Sequence, residues 1–341
     1  MRCIRLTTLF AAVALAGCVP TFSQKGPLPF AQYPYESVEG DPWTEGDLVL
    51  EEIGARYDLG IPAQIHFVEL NPEGKKTVIF VHGLGSYLKF WRHQLDVFAE
   101  SGYRVLALDM LGYGKSAKPA TFPYTMEAMA EVVRAFAKAK GAERPVLVGH
   151  SMGGQTSLVY AINYPDEVEA LVLTAPAGFE KFSPEEREWF RSVFSVALVK
   201  SVPESGLWGS IRYNNFYRWT PEYEWLVEER ARVIGTADFD AYAYAQVRSV
   251  QGLTQTEFTR SSLGHVKAPT LIIFGDMDRL IPNRFMHPGH TRDVMQFGHE
   301  GIKGSKLVEL ARCGHTVQMD CWREYNQEVL GFLAGATGTG E

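Results

Sequence analysis

Several things are scarce in this chain, and each scarcity narrows what it can be. Basic residues are not in excess: 33 Lys and Arg against 40 Asp and Glu leave a formal net charge of −7 over 341 residues. That balance argues against a nucleic-acid partner, because gripping phosphates needs a basic face. The apolar run from Leu6 to Ala16 falls short of the roughly 20 residues that a membrane-spanning helix requires. There is no internal repeat and no low-complexity tract. Cysteines number only four, and His287, His290 and His299 have no cysteine or acid at metal-ligand spacing. No metal and no organic cofactor is called for.

The first residues differ from the rest. Arg2 and Arg5 precede the apolar run and small residues follow it, which is the layout of a secretory signal over residues 1–17. Leu15-Ala16-Gly17-Cys18 resembles the bacterial lipoprotein box, which implies that Cys18 becomes the lipidated first residue. Val19 in place of aspartate then implies the outer membrane. The alternative is ordinary cleavage after Ala14-Leu15-Ala16, giving a periplasmic or secreted protein. Several acyl chains on Cys18 would anchor the protein to the cell envelope stably. Residues 18–47, rich in Pro, Gly, Tyr and acids, read as a tether. Beyond Cys18 the cysteines left are Cys313 and Cys321. In an oxidising compartment they can form a disulfide bracketing His315, the alternative being two buried thiols.

"LVLEEIGARYDL" and "AQIHFVEL" read as two strands joined by a Gly-Ile-Pro turn. After them, short apolar runs ("TVIFVHG", "RVLALDM", "PVLVGHS", "EALVLTAP", "PTLIIFGD", "KLVELARC") alternate with stretches of helical spacing. Such alternation predicts a mostly parallel sheet covered by helices on both faces. The helices fall on "FWRHQLDVFAE", "TMEAMAEVVRAFAKAK" and "GQTSLVYAINY". Residues 177–265 break the pattern. They contain no clear strand, many aromatics, and "PEEREWFRSVFSVALVK" with Ser183 as N-cap and Pro184 in the first turn. This interval reads as a helical cap inserted in an α/β core of residues 48–176 and 266–335.

The chemistry centres on Gly149-His150-Ser151-Met152-Gly153, a G-x-S-x-G motif between an apolar strand and a helix. A sharp strand-to-helix turn strains the serine backbone, and the flanking positions must be glycine because side chains there would clash. Two partners can be sought elsewhere. His82-Gly83-Leu84-Gly85-Ser86 follows the strand "TVIFV", where the N–H of Leu84, with that of Met152, could hold an oxyanion. His315 follows "KLVELARC" as a general base. "LDMLGYGKS" offers no phosphate loop, since Asp109 stands where that motif needs glycine.

With these motifs in order, the sequence from about Leu48 to Leu333 resembles the α/β-hydrolase family; Asp109, Gly112, Gly114 and Ser116 match its D-x-x-G-x-G-x-S loop. The resemblance implies the α/β-hydrolase fold and assigns the acid to the loop "GDMDRLIP", in which Asp278 precedes the Ile-Pro ending by three residues. Asp276 is the runner-up, as a turn cap. Ser151, Asp278 and His315 then stand in the order expected of this fold. A serine nucleophile disfavours relatives that use aspartate there, the haloalkane dehalogenases and epoxide hydrolases. Esterase or lipase activity on a small-molecule or lipid-like ester leads. C–C bond hydrolysis, amide or peptide hydrolysis and a non-catalytic surface lipoprotein are the alternatives.

Overall fold

The computed structural model describes residues 21–337, so Cys18 and the signal-like segment lie outside the described residues. Eight strands form one sheet: β1 (Glu45–Val49), β2 (Gln64–Leu70), β3 (Thr77–Val81), β4 (Arg104–Leu108), β5 (Val146–His150), β6 (Ala170–Thr174), β7 (Thr270–Gly275) and β8 (Lys306–Leu310). Their order is β1-β2-β4-β3-β5-β6-β7-β8. β2 runs antiparallel to β1 and β4, and all pairs from β4 to β8 are parallel. Every residue of β5, β6 and β7 is buried, as a parallel sheet covered on both faces requires. The six apolar runs read as core strands all occupy this sheet.

Helices α1 (Glu51–Arg56), α2 (Leu95–Glu100), α3 (Met126–Ala139) and α4 (Met152–Asn163) serve the first half of the core, and α11 (Thr291–Gly301), α12 (Val317–Asp320) and α13 (Trp322–Thr337) the second. Between β6 and β7 come α5 (Pro184–Val193), α6 (Val196–Ser201), α7 (Glu204–Asn215), α8 (Glu224–Val233), α9 (Phe239–Leu253) and α10 (Glu257–Ser261). No strand interrupts that interval among the described residues.

Three local expectations change. "LVLEEIGARYDL" is not one strand: β1 ends at Val49 and α1 begins at Glu51. Leu50 and Ile53 are buried three apart, a helical interval, and two glutamates occupy the first turn where the helix dipole favours them. "FWRHQLDVFAE" is not one helix: it opens on the end of a 3₁₀ turn (Leu88–Trp91) and only its second half forms α2. "PEEREWFRSVFSVALVK" splits into two helices. Ser183 caps the first in a capping box with Glu186. Phe194 is then extended and Ser195 caps the second by accepting from the Leu198 N–H.

Residues 21–47 are not a loose tether either. Phe22, Phe30, Tyr33, Tyr35 and Trp43 are all buried. The segment runs as a strap over α8 and then down onto the core: the Leu28 N–H donates to the Arg232 carbonyl at 3.1 Å, and Tyr33 OH donates to the Glu229 carbonyl at 2.9 Å. Tyr35 OH then donates to Asp109 Oδ2 at 2.6 Å. Proline and glycine content suggested a linker, but five buried aromatic rings and the hydrogen bonds to Arg232, Glu229 and Asp109 offset much of the entropy of ordering the segment.

Asp109, fully buried at the end of β4, gathers this junction. Its Oδ1 accepts from the Leu88 N–H at 2.9 Å and its Oδ2 from the Lys115 N–H at 2.8 Å as well as from Tyr35. A methyl group on Gly114 would lie 2.1 Å from that same carboxylate, so glycine is required there. Removing the strap's hydroxyl should therefore cost stability: Tyr35→Phe is expected to lower the unfolding free energy by about 1–3 kcal/mol in urea denaturation, with hydrolytic activity retained.

Candidate active site

The strand order reverses at β3: the chain leaves it for β4 on one side and later places β5 on the other. Pockets in open α/β sheets form outside the carboxyl ends of strands at such a point, and both the β3 and β5 loops end there. Ser151 follows β5 with φ 52° and ψ −115°, a conformation that costs about 1–3 kcal/mol for a non-glycine residue. Close packing holds it. A methyl on Gly149 would meet the Gly153 carbonyl at 2.3 Å, and one on Gly153 would meet the Val81 carbonyl at 2.2 Å. The Ser151 N–H donates to the Thr174 carbonyl at 2.9 Å. α4 begins at the next residue, so the Met152 N–H has no helical acceptor behind it.

The loop after β3 is equally constrained. His82 Nδ1 donates to the Gly83 carbonyl at 2.8 Å, and its Nε2 accepts from the Met110 N–H at 3.0 Å. Those two bonds require a neutral ring, and burial lowers the His82 pKa in the same sense. Ser86 Oγ donates to the Gly83 carbonyl at 2.8 Å. Gly85 takes φ 70°, and its carbonyl accepts from Arg230 of α8 and from Tyr242 of α9. The cap thus fixes the loop that presents Leu84.

At the other end of the site, His315 Nδ1 and Asp278 Oδ2 are 2.8 Å apart, with both side chains buried. The second oxygen of Asp278 accepts from the N–H groups of Leu280 and Ile281, at 2.7 and 3.1 Å. With Nδ1 engaged, Nε2 is the nitrogen left for the serine hydroxyl. Ser151, His315, His150 and Leu84 line one cavity of about 220 Å³. Asp276 does the turn-capping job instead, its Oδ1 accepting from the Arg312 N–H at 2.6 Å. Cys313 and Cys321 are joined by a disulfide around His315.

His150 does not compete as a base. Its Nε2 lies 3.1 Å from the His315 carbonyl, its ring centroid is 4.9 Å from that of His315, and burial, then the neighbouring histidine, push its pKa well below the usual range.

Three residues escaped sequence reasoning. Asp320 is buried in α12 and accepts from the N–H groups of Gly314 at 2.6 Å, Tyr217 at 2.7 Å and Arg218 at 2.8 Å. It ties the loop carrying His315 to the cap. Glu180 reaches the cavity wall; its Oε1 accepts from the Asn283 N–H at 2.7 Å and lies 2.5 Å from His287 Nδ1. His287 Nε2 meets Glu186 of α5 at 2.9 Å. No short motif marks these residues, since Glu180 and His287 are defined by partners more than a hundred residues away and Asp320 by backbone N–H groups that any residue supplies.

Residues 76–320 match the family described as the alpha/beta hydrolase fold. The chain belongs to the α/β-hydrolase family. Among curated family members, it is 27% identical over 283 residues to a 2-hydroxy-6-oxononadienedioate/2-hydroxy-6-oxononatrienedioate hydrolase of Paraburkholderia phymatum, covering 80% of this chain and 92% of that one. A probable hydrolytic enzyme from Pseudomonas aeruginosa PAO1 shares the fold with a TM-score of 0.73 at 24% identity, over 88% of this chain and 98% of that one. A thermophilic esterase from Thermogutta terrifontis gives a TM-score of 0.66 at 23% identity, over 81% and 95%. The chain is therefore a hydrolase of this fold.

The His287 cluster generates a pH prediction. Burial opposes charge on His287, but hydrogen bonding and attraction from Glu180, then Glu186, outweigh it and raise its pKa. A raised folded-state pKa gives stability that is complete below the unfolded value of about 6.5 and is lost as pH rises through the folded value. Burial raises the Glu180 pKa, and the stability this costs is lost above its own unfolded value of about 4.3, a window that starts below that of His287. The melting temperature should fall as pH rises through the region above about 6.5, and His287→Gln should flatten that fall in thermal scans across pH.

Proposed function

We propose that the protein hydrolyses an uncharged carboxylic ester through an acyl-enzyme on Ser151. One observation carries the choice of substrate: the cavity wall is apolar and holds no cation. Leu84, Phe90, Phe182, Phe190, Val250 and Leu253 are among the residues that line it, Glu180 is the only carboxylate and no Arg or Lys lies among the described lining residues. An acyl chain fits such a wall. A dianionic substrate would add charge beside Glu180, whose partner His287 is already shared with Glu186, and no Arg or Lys lines the cavity to receive it.

In this reading His315 Nε2 takes the proton of Ser151, whose hydroxyl is otherwise too weak an acid to attack a carbonyl. Asp278 orients the imidazole and stabilises its protonated form. Ser151 Oγ bonds to the ester carbon, and the Leu84 and Met152 N–H groups receive the oxyanion. Collapse expels the alcohol, which takes the proton from His315. Water, deprotonated by the same histidine, then releases the carboxylic acid and restores the serine.

The second reading is C–C bond hydrolysis, favoured by the dienedioate hydrolase names of the curated relatives. A panel of p-nitrophenyl esters of increasing chain length, assayed beside a 2-hydroxy-6-oxo-dienedioate, separates the two. Ester turnover is expected to dominate, and Ser151→Ala should lower kcat by at least about 10³-fold. Turnover of the dienedioate alone would reverse the order of the readings. Ester hydrolysis undiminished in Ser151→Ala would remove the serine mechanism. Glu180→Gln should ease entry of anionic esters, lowering their KM relative to neutral ones.

A further inference from the structure

The described part of the chain starts on the cap rather than on the core. Phe22 stacks against Trp208 of α7 with ring centroids 5.8 Å apart. The N–H groups of Phe22 and Ser23 donate to the Glu204 carboxylate at 2.7 and 2.9 Å, and Lys25 pairs with Glu228 of α8 at 2.9 Å. Cys18 precedes Phe22 by four residues, a span of at most about 14 Å of extended chain. Acyl chains on Cys18, the modification its sequence context implies, would hold a bilayer close to this end of the cap.

The cap does not present an ordinary polar surface. α5 and α6 bury no residue, and α7 buries only Leu207. Trp189, Val193, Leu198, Tyr213 and Tyr217 are exposed, Tyr213 to 62%. A groove between the end of α7 and the loop after β7 is lined by Arg212, Arg218 and Arg279 together with Trp208, Tyr213 and Tyr217, and no acid lines it. The Arg279 guanidinium lies 4.0 Å from the centre of the Tyr213 ring, and Arg218 comes within only 4.0 Å of Glu324. Three arginines line the groove with no acid among its lining residues, Glu324 reaching Arg218 from outside it, and such a site in a chain of net charge −7 complements an anionic surface. Aromatic rings beside basic side chains suit the boundary between water and lipid. The groove also adjoins the Ser151 cavity: Asn215 and Leu280 line the cavity, while their chain neighbours Phe216 and Arg279 line the groove.

We infer that the cap face formed by α5–α7 and the three-arginine groove docks on an anionic phospholipid bilayer, which sets the mouth of the Ser151 cavity beside the membrane. Docking does not depend on which bond Ser151 cleaves.

The test uses the full-length protein purified from membranes and reconstituted in vesicles of phosphatidylcholine with phosphatidylglycerol, or of phosphatidylcholine alone. Fluorophores go on Leu198→Cys in α6, on Val193→Cys in α5 as a second reporter, and on Glu143→Cys, which lies before β5 at the opposite end of the sheet. Nitroxide-labelled lipid should quench the probes at 198 and 193 several-fold more than the probe at 143. Arg212→Gln with Arg218→Gln should abolish most of that difference in vesicles containing phosphatidylglycerol. Hydrolysis of a soluble short-chain ester should be unchanged in the same variant. Equal quenching at all three positions overturns the proposal, as does quenching at 198 that ignores both phosphatidylglycerol and the arginines. Arginine-dependent binding of inorganic phosphate without differential quenching would make the groove a site for a free anion and also overturn it. Self-association through this face without vesicles would do the same. Intact mass reports the acyl groups on Cys18 separately, so a missing anchor is distinguished from a face that does not dock.

Discussion

The left-handed backbone of Ser151 is the constraint around which this molecule is arranged. A serine at φ 52° and ψ −115° relaxes unless its surroundings leave no alternative. Here β5 lies between β3 and β6, and α4 is pressed so close to β3 that Gly153 has no space for a methyl group beside the Val81 carbonyl. The strained turn is therefore held at the end of a central strand, bonded on both sides. The same compression brings the Met152 amide to the loop that presents Leu84. One turn thus places Ser151 and the Met152 amide side by side at the end of β5.

Around this turn the layers are joined by buried carboxylates. Asp109 connects the strap, the turn at Leu88 and the loop at Lys115. Glu229 of α8 accepts from Lys89 at 2.8 Å and from Tyr87, both on the core side. Asp320 joins the cap at Tyr217 and Arg218 to Gly314, next to His315. A buried carboxylate left unpaired is costly, so each of these favours only the arrangement in which all its donors arrive together. The cap, although inserted between two strands, is held against both loops of the site by specific charged bonds as well as by apolar contact.

Local patterns carried much of this in the sequence. The core strands are continuous apolar runs bounded by turn residues, and Ser151, Leu84 and His315 sit at their ends, so a motif and its context suffice to locate them. Asp278 needed the resemblance to a family, because two aspartates two residues apart look alike until one is seen against His315 and the other against the Arg312 N–H. Glu180, His287 and Asp320 were illegible for a different reason: their partners lie more than a hundred residues away or arise from backbone N–H groups that any residue supplies. The strap was misjudged because proline and glycine were weighed above the aromatics between them. Its five buried rings were the available signal.

The strap also decides how the molecule bears a load. A pull on the N-terminal end reaches first the two Glu204 bonds and the Phe22–Trp208 stack, then Lys25, Gly26 and Leu28 along α8, and last Tyr35 at Asp109. Contacts strung along a helix in this way share tension when pulled lengthwise and give way singly when peeled outward. The strap therefore resists a lengthwise pull with its contacts in parallel and an outward peel with one contact at a time, and Tyr35 at Asp109 is the last of them before the core.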